Sequence, residues 1–489
     1  MSATQILVLG FFLVITAGAL LLHLPAASNS GESTPLLQCF FTAVSSTCVT
    51  GLVVVDTALH WSLIGQIIIL CMIQIGGLGF MSIAVLFSIM VRRRISPREK
   101  IILANSYNLS TFEGLMPLVK RVLCGTALIE GCGALILSAR FVPVFGWSGG
   151  IWRGVFHSVS AFCNAGFDLM GTYSGAFSSL AGFSQDTVVN LTITGLIMTG
   201  GIGFVVWNDL YERIRYKKKI SVYTKLVLIV SLMLWSIGTV SVAVFEWNNP
   251  STLGELTWDK KLLASFFQSV TFRTAGFSTI ALDRMHDGAK LISMGLMFVG
   301  GASGSTAGGV KVATIALLFL SVYANLRGEK HISVFRRNIT GESVLRAFSL
   351  CVIQFAVTVV SAGILLMDNC TLMQALYETF SASGTVGLSL GLTPGLSSFS
   401  LVTLMILMYF GRVGILTIAM AGHSKFVEER NRMQYADTNL MIDKNLRKIT
   451  NELREVTLYE KFLHNRTQLL WLGADKRIAG AKMPGDGHQ

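Results

Sequence analysis

The chain has 489 residues, of which 52% are hydrophobic and 13% are charged. Soluble domains carry about a quarter charged residues, so this composition excludes a soluble protein and favours an integral membrane protein. The formal net charge is +12. The basic residues cluster beside the ends of apolar segments, at Arg92–Arg94, Lys217–Lys219, Arg336, Arg337, Lys425, Arg430 and Arg432. This is the positive-inside pattern, which predicts cytoplasmic loops and argues against nucleic-acid binding.

A membrane-spanning helix needs about 20 mostly apolar residues. Eight segments are candidates, in chain order 4–24, 62–91, 118–140, 186–211, 222–246, 288–323, 343–367 and 399–421. The first is predicted to span the membrane rather than act as a signal peptide, because it has no basic region and no obvious cleavage site. The sixth is too long and too rich in glycine to form one straight helix.

A shorter, semi-polar stretch lies between the two members of each pair, at 35–47, 152–163, 259–272 and 371–383. Each is long enough for a half-membrane helix, and each is followed at once by a short segment that ends in glycine. We call these the four glycine segments: Cys48-Val49-Thr50-Gly51, Cys163-Asn164-Ala165-Gly166, Arg273-Thr274-Ala275-Gly276 and Gly384-Thr385-Val386-Gly387. The order helix (M1), half-helix (P), glycine segment, helix (M2) thus occurs four times, which predicts a pseudo-symmetric assembly.

A second glycine motif lies within the M2 helices and supports the repeat. It reads Gly76-Gly77-Leu78-Gly79, Gly200-Gly201-Ile202-Gly203, Gly300-Gly301-Ala302-Ser303-Gly304 and Gly411-Arg412-Val413-Gly414. Its distance from the glycine segment is nearly constant in repeats 1, 3 and 4 and longer in repeat 2. All four units start and end on the basic side, whereas inverted-repeat secondary transporters alternate in orientation. The sequence therefore predicts an all-α integral membrane fold of four parallel M1-P-M2 repeats around one pore.

The predicted division of the chain follows these repeats. Repeat 1 covers 1–94, repeat 2 covers 95–219, repeat 3 covers 220–337 and repeat 4 covers 338–443. The polar remainder, 444–489, is predicted to be a cytoplasmic C-terminal extension, because Ile449, Leu453 and Val456 have the spacing of an amphipathic helix.

The glycine segments suit the passage of a cation. Backbone carbonyls can replace the hydration shell of an ion without trapping it, and a backbone that points successive carbonyls to one side needs dihedral angles that glycine tolerates best. The half-helices would also aim their negative C-terminal ends at the cavity. A helix-packing contact explains any single glycine equally well, but four glycines at matching positions favour a selectivity filter. Its candidate residues are Cys48, Val49, Thr50, Gly51, Asn164, Ala165, Gly166, Thr274, Ala275, Gly276, Thr385, Val386 and Gly387.

The glycine segments, the glycine-rich third M2 and Gly411-Arg412-Val413-Gly414 together resemble the Trk/Ktr/HKT superfamily of potassium and sodium transporters. The resemblance covers about 4–443. Only one helix precedes Gly51, whereas bacterial Trk-type subunits have an extra helical pair there, so the chain is most similar to KtrB-type membrane subunits of Ktr potassium uptake systems.

This resemblance implies a potassium-translocating homodimer in the cell membrane, with one pore per subunit and with basic loops and C-terminus in the cytoplasm. It also implies a cytosolic ring of RCK-type regulatory subunits that bind nucleotide, with no cofactor in this chain and potassium as the transported ion. Related plant transporters selective for sodium have serine at the position of Gly51, so Gly51 favours potassium.

The third M2 carries a run of glycine and small hydroxyl residues that should break the helix in mid-membrane. A phosphate-binding GxxxxGK[ST] loop is excluded, because Val310 separates Gly309 from Lys311 and no Ser or Thr follows the lysine. A packing kink is one reading. The resemblance implies the other, an intramembrane gating loop at 300–309 with candidate residues Gly300, Gly301, Ser303, Gly304, Ser305, Thr306, Gly308 and Gly309.

Charged residues near these motifs have further candidate roles. Arg412 lies in mid-helix, where a charge costs about 2.5–3.5 kcal/mol on insertion scales; the resemblance places it beside the gating loop, and a snorkelling side chain is the alternative. Arg273 is expected behind the filter, bonded to backbone or to an acid. Asp56 and Asp168 follow glycine segments 1 and 2 and either attract cations to the outer mouth or are ordinary loop acids.

Two other classes of function are alternatives to the pore. A sodium- or proton-coupled carrier of an organic solute would need acidic residues within spanning helices, where Glu130 is the main candidate. A membrane enzyme would need clustered histidine or acidic residues at membrane depth, but the eight histidines are scattered, so the sequence predicts no enzyme.

Overall fold

The computed structural model describes residues 3–79, 115–329, 332–335 and 337–414. The chain divides into two compact units, Met1–Tyr323 with His331–Ser424, and Ala324–Lys330 with Lys425–Gln489. Only 324–329 of the second unit is described, and these residues contain the last turn of one helix. The predicted extension 444–489 and the basic clusters at 92–94 and 425–432 lie outside the described residues.

Helices make up most of the described chain, as the composition predicts. In chain order they are α1 Ala3–Leu22, α2 Leu36–Thr47, α3 Leu63–Leu78, α4 Leu115–Phe162, α5 Thr187–Gly201, α6 Phe204–Tyr216, α7 Val222–Glu246, α8 Trp258–Thr271, α9 Asp287–Phe298, α10 Val312–Leu326, α11 Gly341–Leu365, α12 Leu372–Gly384 and α13 Ser398–Val413. Short helical turns at Thr57–His60 and Gly171–Ser174 lie in the connections. A small antiparallel hairpin joins β1, Ile332–Val334, to β2, Arg337–Ile339, with Ile332 opposite Ile339.

The four half-membrane helices lie where the sequence predicts them. They are α2, the last part of α4, α8 and α12, and each ends within a few residues of the predicted position. In the second repeat the long and short helices are joined into α4, with a break at Gly146, where φ is 73° and ψ is 173°. The two helices predicted there, 118–140 and 152–163, therefore lie on either side of this break, where one glycine turns the chain without a longer loop.

Two of the predicted spanning segments are interrupted. The segment 186–211 was predicted as one helix, but α5 and α6 meet at an angle of 94°, because Gly203 has a positive φ of 93°. The segment 288–323 is divided by a non-helical stretch, 299–311, which confirms that it is not one straight helix.

Among the described residues, four helices are long and apolar enough to cross a membrane, namely α1, α4, α7 and α11. The bent pair α5 and α6 makes a fifth if it is counted as one span. The predicted segments 62–91 and 399–421 both continue beyond the described residues, so the total of eight spanning helices stays a prediction.

The helices pack in a cyclic order. Within a repeat, α1 contacts α2 and α3, α7 contacts α8 and α9, and α11 contacts α12 and α13. Between repeats, each M2 helix contacts the helix that carries the next half-helix: α3 contacts α4, α5 contacts α8, α9 contacts α12, and α13 contacts α2. This order closes on itself and places the half-helices at the centre.

Burial agrees with this arrangement. Phe41, Phe156, Phe267 and Tyr377 lie in the four half-helices and are fully buried. Large apolar side chains on α4, α7 and α11, such as Leu135, Val244 and Val360, are instead exposed. An apolar outer surface around a packed centre is expected where the solvent is lipid.

Candidate ion pathway

The four glycine segments share one backbone conformation. In each, the glycine and the residue two positions before it have positive φ, a combination that costs a non-glycine residue about 1–2 kcal/mol. The φ angles are 58° and 98° at Val49 and Gly51, 60° and 71° at Asn164 and Gly166, 69° and 79° at Thr274 and Gly276, and 52° and 90° at Thr385 and Gly387. Four copies of the same strained pattern indicate a built site rather than four unrelated turns.

The segments meet around one point. A Cβ atom on Gly166 would lie 2.8 Å from the carbonyl oxygen of Ala275, and one on Gly276 would lie 2.8 Å from that of Val386. Gly51 lies in the same way against the carbonyl of Ala165, and Gly387 lies against that of Thr50. Each glycine therefore touches the next segment in the order 1, 2, 3, 4 and back to 1, and a side chain has no room at any of them.

Among the described residues, no hydrogen-bond donor reaches the carbonyl oxygens of this ring, which belong to Thr50, Ala165, Ala275 and Val386. The amides beside them are bonded instead to the ends of the half-helices, as the Thr50 amide is to the Ser45 carbonyl at 2.8 Å and the Val386 amide to the Ser381 carbonyl at 2.8 Å. Buried carbonyls are normally paired, so this ring offers oxygen ligands to a cation.

Buried hydroxyl groups hold each segment from behind, a feature that the sequence analysis missed. The Oγ atoms of Ser45 and Ser381 accept hydrogen bonds from the amides of Gly51 and Gly387, each at 3.1 Å. The hydroxyls of Ser160 and Thr271 donate to the carbonyls of Phe167 and Phe277 at 2.7 and 2.6 Å. The sequence signal for this feature is a serine six residues before the segment glycine, which three of the four glycine segments have.

The M2 glycines have a packing role. Gly76, Gly200 and Gly411 lie directly against the carbonyls of Thr47, Phe162 and Ser383, each of which is four residues before the glycine of its own segment. A Cβ atom at any of the three would collide with that carbonyl. The helix-packing explanation therefore applies to these glycines and not to those of the ring.

The stretch 299–311 crosses beside the ring and is bonded to other repeats. The amide of Ala302 donates to the carbonyl of Gly201 at 3.0 Å, and the amide of Gly309 donates to that of Gly411 at 3.2 Å. The Thr306 hydroxyl contacts the Phe162 carbonyl at 3.1 Å and Oδ1 of Asn164 at 3.2 Å. The loop thus reaches glycine segment 2 directly.

Arg412 lies in the last turn of α13 and joins three repeats. Its guanidinium donates to the carbonyls of Thr306 and Gly76, and to that of Gly77 at 3.0 Å. These groups belong to the 299–311 loop and to the C-terminal end of α3, where a cation satisfies unpaired carbonyls. The side chain is therefore directed into the protein, so the snorkelling alternative was wrong.

Arg273 lies behind the third glycine segment, as expected. It is buried, its Nη2 donates to the Gly300 carbonyl at 3.0 Å, and its guanidinium lies over the ring of Trp235 at 5.4 Å. Glu130 is also buried; its carboxylate accepts from Nε2 of Gln74 at 3.1 Å and lies 3.8 Å from Sγ of Cys163. Both side chains are thus enclosed by protein groups.

The two loop acids have local structural bonds. Asp56 accepts hydrogen bonds from the amides of Ala58 and Leu59, each at 3.0 Å, and from that of Phe177 at 2.9 Å. Asp168 accepts one from the amide of Met170 at 2.9 Å. Burial, and to a smaller extent the charge of Asp56, raise the pKa of Asp168 to about 7. Both acids therefore have a bonding role in their loops.

Comparison with known proteins gives consistent results. The profile of the family described as TrkH, cation transport protein, matches residues 1–431. The chain is 41% identical over 434 residues to "Ktr system potassium uptake protein B" of Bacillus subtilis, covering 88% of this chain and 95% of that protein. It is 39% identical over 451 residues to "Potassium/sodium uptake protein NtpJ" of Enterococcus hirae, covering 90% and 97%.

A solved structure supports the same fold. The crystal structure of the potassium transporter TrkH from Vibrio parahaemolyticus superimposes with a TM-score of 0.64 and 17% identity, covering 86% of this chain and 85% of that one. The apolar helices and the match to the family profile agree. The chain belongs to the TrkH family of cation transport proteins, a family of membrane transporters and not of enzymes.

Proposed function

We propose that this chain is the potassium-translocating membrane subunit of a Ktr-type uptake system. The observation that carries the proposal is the closed ring of glycine segments, in which each glycine lies against a carbonyl of the next segment that has no donor among the described residues. Such a ring supplies oxygen ligands to a dehydrated cation. The named potassium uptake relatives from Bacillus subtilis and Enterococcus hirae support potassium as the ion.

In this proposal the 299–311 loop is the gate. It is bonded to Gly201 of repeat 2 and Gly411 of repeat 4, and Thr306 is linked to glycine segment 2. Arg412 holds the loop against the end of α3 and places a positive charge near the pathway. Movement of the loop together with loss of the Arg412 bonds would open the pathway.

The proposed assembly is the one that the resemblance to KtrB-type subunits implies. The chain acts as a homodimer with one pore per subunit, in the plasma membrane, and its basic loops and C-terminus face the cytoplasm. A cytosolic ring of RCK-type subunits binds nucleotide and sets the state of the gate. The predicted repeat boundaries 1–94, 95–219, 220–337 and 338–443 remain part of this proposal.

Rubidium flux into proteoliposomes tests the function. Purified chain should admit rubidium down its gradient, and an excess of external sodium should compete weakly. The glycine-to-serine variant of Gly51 should admit sodium more readily, because the added side chain displaces the Ala165 carbonyl. Flux of an organic solute driven by a sodium or proton gradient, without rubidium flux, would instead favour the carrier.

A deletion tests the gate separately. Removing about five residues of 300–309 should raise rubidium flux in the absence of any cytosolic partner, since the loop would no longer reach Asn164. The matched control is a deletion of similar length outside the pathway, in the exposed turn 30–33, whose hydrogen bonds stay within its own loop. Unchanged or lower flux in a correctly inserted loop deletion would argue against gating.

A further inference from the structure

The C-terminal half of α6 lies at one boundary of the membrane. Arg121 and Arg140 stand at the two ends of the apolar part of α4, about 28 Å apart at 1.5 Å per residue, which is close to the thickness of the hydrocarbon layer. Arg140 pairs with Asp186. Arg121 contacts α6, because it bonds Asn208 and Glu212 and its guanidinium lies 4.8 Å from the ring centroid of Tyr211.

The direction of α6 keeps it at this boundary. It meets α5 at 94°, so it leaves the direction in which α5 crosses the apolar layer. Its last two turns carry exposed Tyr211, Ile214 and Tyr216, and Ile214 is 83% exposed. Helices that lie in the interface combine such apolar and tyrosine side chains with Lys and Arg.

The acidic groups of this segment are already bound within the protein. Glu212 pairs with Lys218 at 2.9 Å and with Arg121 at 3.4 Å. The Asp209 carboxylate accepts from the hydroxyl groups of Ser221 and Thr224. Neither acid is available to neutralise further basic side chains.

The remaining basic groups have no acidic partner. Arg213, Arg215, Lys217 and Lys219 are exposed. Across the part of the chain that the structure describes, no carboxylate pairs with any of the four. Four uncompensated positive charges interleaved with exposed apolar side chains therefore lie at a membrane boundary.

We propose that this segment, residues 211–219, binds the phosphate groups of anionic lipids in the membrane that surrounds the protein. The guanidinium and ammonium groups match phosphate in charge and hydrogen bonding. The interleaved Ile214 and Tyr216 match the acyl boundary below the headgroups. The exposed apolar side chains favour a lipid surface over an acidic protein, which would need only the charges.

Lipid bound at this site would influence the position of the 299–311 loop. This consequence rests on the proposed function. The amide of Phe204, at the start of α6, donates to the Gly304 carbonyl at 2.8 Å. The Tyr223 hydroxyl, just beyond the basic segment, donates to the Ser303 carbonyl at 3.2 Å. The chain is thus bonded to the same part of the loop on both sides of the lipid-binding segment, at Phe204 before it and at Tyr223 after it.

A matched pair of double variants of the full chain tests the proposal. Arg215→Gln with Lys219→Gln removes two unpaired charges from the site, and Lys260→Gln with Arg284→Gln removes two charges elsewhere. Native mass spectrometry with phosphatidylglycerol and phosphatidylcholine gives the binding constants. The first pair should lower the phosphatidylglycerol constant by at least about fivefold, while phosphatidylcholine binding and the control pair stay unchanged.

A charge-preserving double variant separates the loss of charge from a structural effect. Arg215→Lys with Lys219→Arg keeps both charges and should retain phosphatidylglycerol binding, whereas a merely structural role would be disturbed by this exchange too. Equal losses in both glutamine pairs, or no loss in the first, would overturn the proposal. Retained lipid binding with loss of a cytosolic protein partner would assign the surface to that partner instead. These lipid measurements do not involve ion flux, so they can fail while the proposed transport stands.

Discussion

The third M2 helix differs from the other three at the level just beside the ring. In repeats 1, 2 and 4 a glycine of M2 packs on the carbonyl that ends the half-helix of the same repeat, and the helix ends three residues later at Gly79, Gly203 or Gly414, each with positive φ. In repeat 3 the corresponding glycine, Gly300, lies instead against the carbonyl of Gly308. Arg273 donates a hydrogen bond to the carbonyl of Gly300 itself. A filter needs four similar walls, whereas a gate needs one wall that is different.

The similar repeats also hold the different one in place. The loop of repeat 3 is bonded to the carbonyls of Gly200 and Gly201 in repeat 2 and of Gly411 in repeat 4. These are the ends of the neighbouring M2 helices, where the positive-φ glycine leaves carbonyls without helical partners. The same helix end that closes one repeat therefore provides the anchor for the loop of another.

Breaking the ring should have the largest effect. In Gly387→Ala the new Cβ atom would collide with the Thr50 carbonyl, and the residue would keep an unfavourable positive φ that costs about 1–2 kcal/mol. Rubidium uptake should fall to background. Gly391→Ala is the matched control, because Gly391 has a φ of 84° and nothing within 4 Å of an added Cβ atom. Equal loss in both variants would show that backbone strain, and not the ring, is responsible.

Removing the link between the loop and its anchors should have the next largest effect. Arg412→Ala deletes three hydrogen bonds from a charged group, each worth about 1.5–3 kcal/mol, so the loop should be displaced more often. We expect flux to rise about tenfold or more, with unchanged preference for rubidium over sodium. Arg412→Lys keeps the charge without the planar fork and should give an intermediate rate.

Protein level must be measured with flux in these variants, because loss of a buried arginine can also reduce folding. Wild-type flux in an Arg412→Ala protein that is inserted at normal level would leave Arg412 with a packing role only. The proposal that Arg412 holds the loop in place would then have to be given up.

The sequence predicted much of this architecture, including the interrupted third M2, but not the contacts that hold the interrupted stretch in place. The half-helices and the four glycines were predictable because glycine at a matched position follows an apolar stretch of half-membrane length in every repeat. The 94° turn at Gly203 was not, because Gly79 and Gly414 occur in the same motif and only packing reveals how far a chain turns. The partners of Arg412 were also hidden, since they are backbone carbonyls of distant segments that leave no side-chain signature.

Arg273 should matter more for stability than for rate. In the other repeats an M2 glycine packs on a carbonyl of the half-helix, and in repeat 3 the hydrogen bond from Arg273 to Gly300 takes the place of that contact. Arg273→Met should therefore leave the Gly300 carbonyl without its donor. We expect a loss of about 1–3 kcal/mol, seen as a lower midpoint of thermal unfolding in detergent. Arg284→Met is the control, because Arg284 is exposed and its neighbour Asp283 lies at the surface. A midpoint equal to that of the control would argue against a supporting role.

The smallest effect concerns another departure from fourfold symmetry, on the side of the ring away from the 299–311 loop. Two residues after the segment glycine stand Val53, Asp168, Ser278 and Ser389, so only repeat 2 places an acid there. Burial and the nearby charge of Asp56 raise the pKa of Asp168 to about 7, which means that the folded protein favours the neutral carboxyl. The unfolded chain ionises this group near pH 4, so the free energy of unfolding should decrease as pH rises from about 4 to about 7 and should stay level above that.

Asp168→Asn should remove this part of the pH dependence of the thermal midpoint, whereas Asp283→Asn, at an exposed acid, should not. The same slope in all three proteins would mean that Asp168 is ionised throughout and that the Met170 amide bond outweighs its burial.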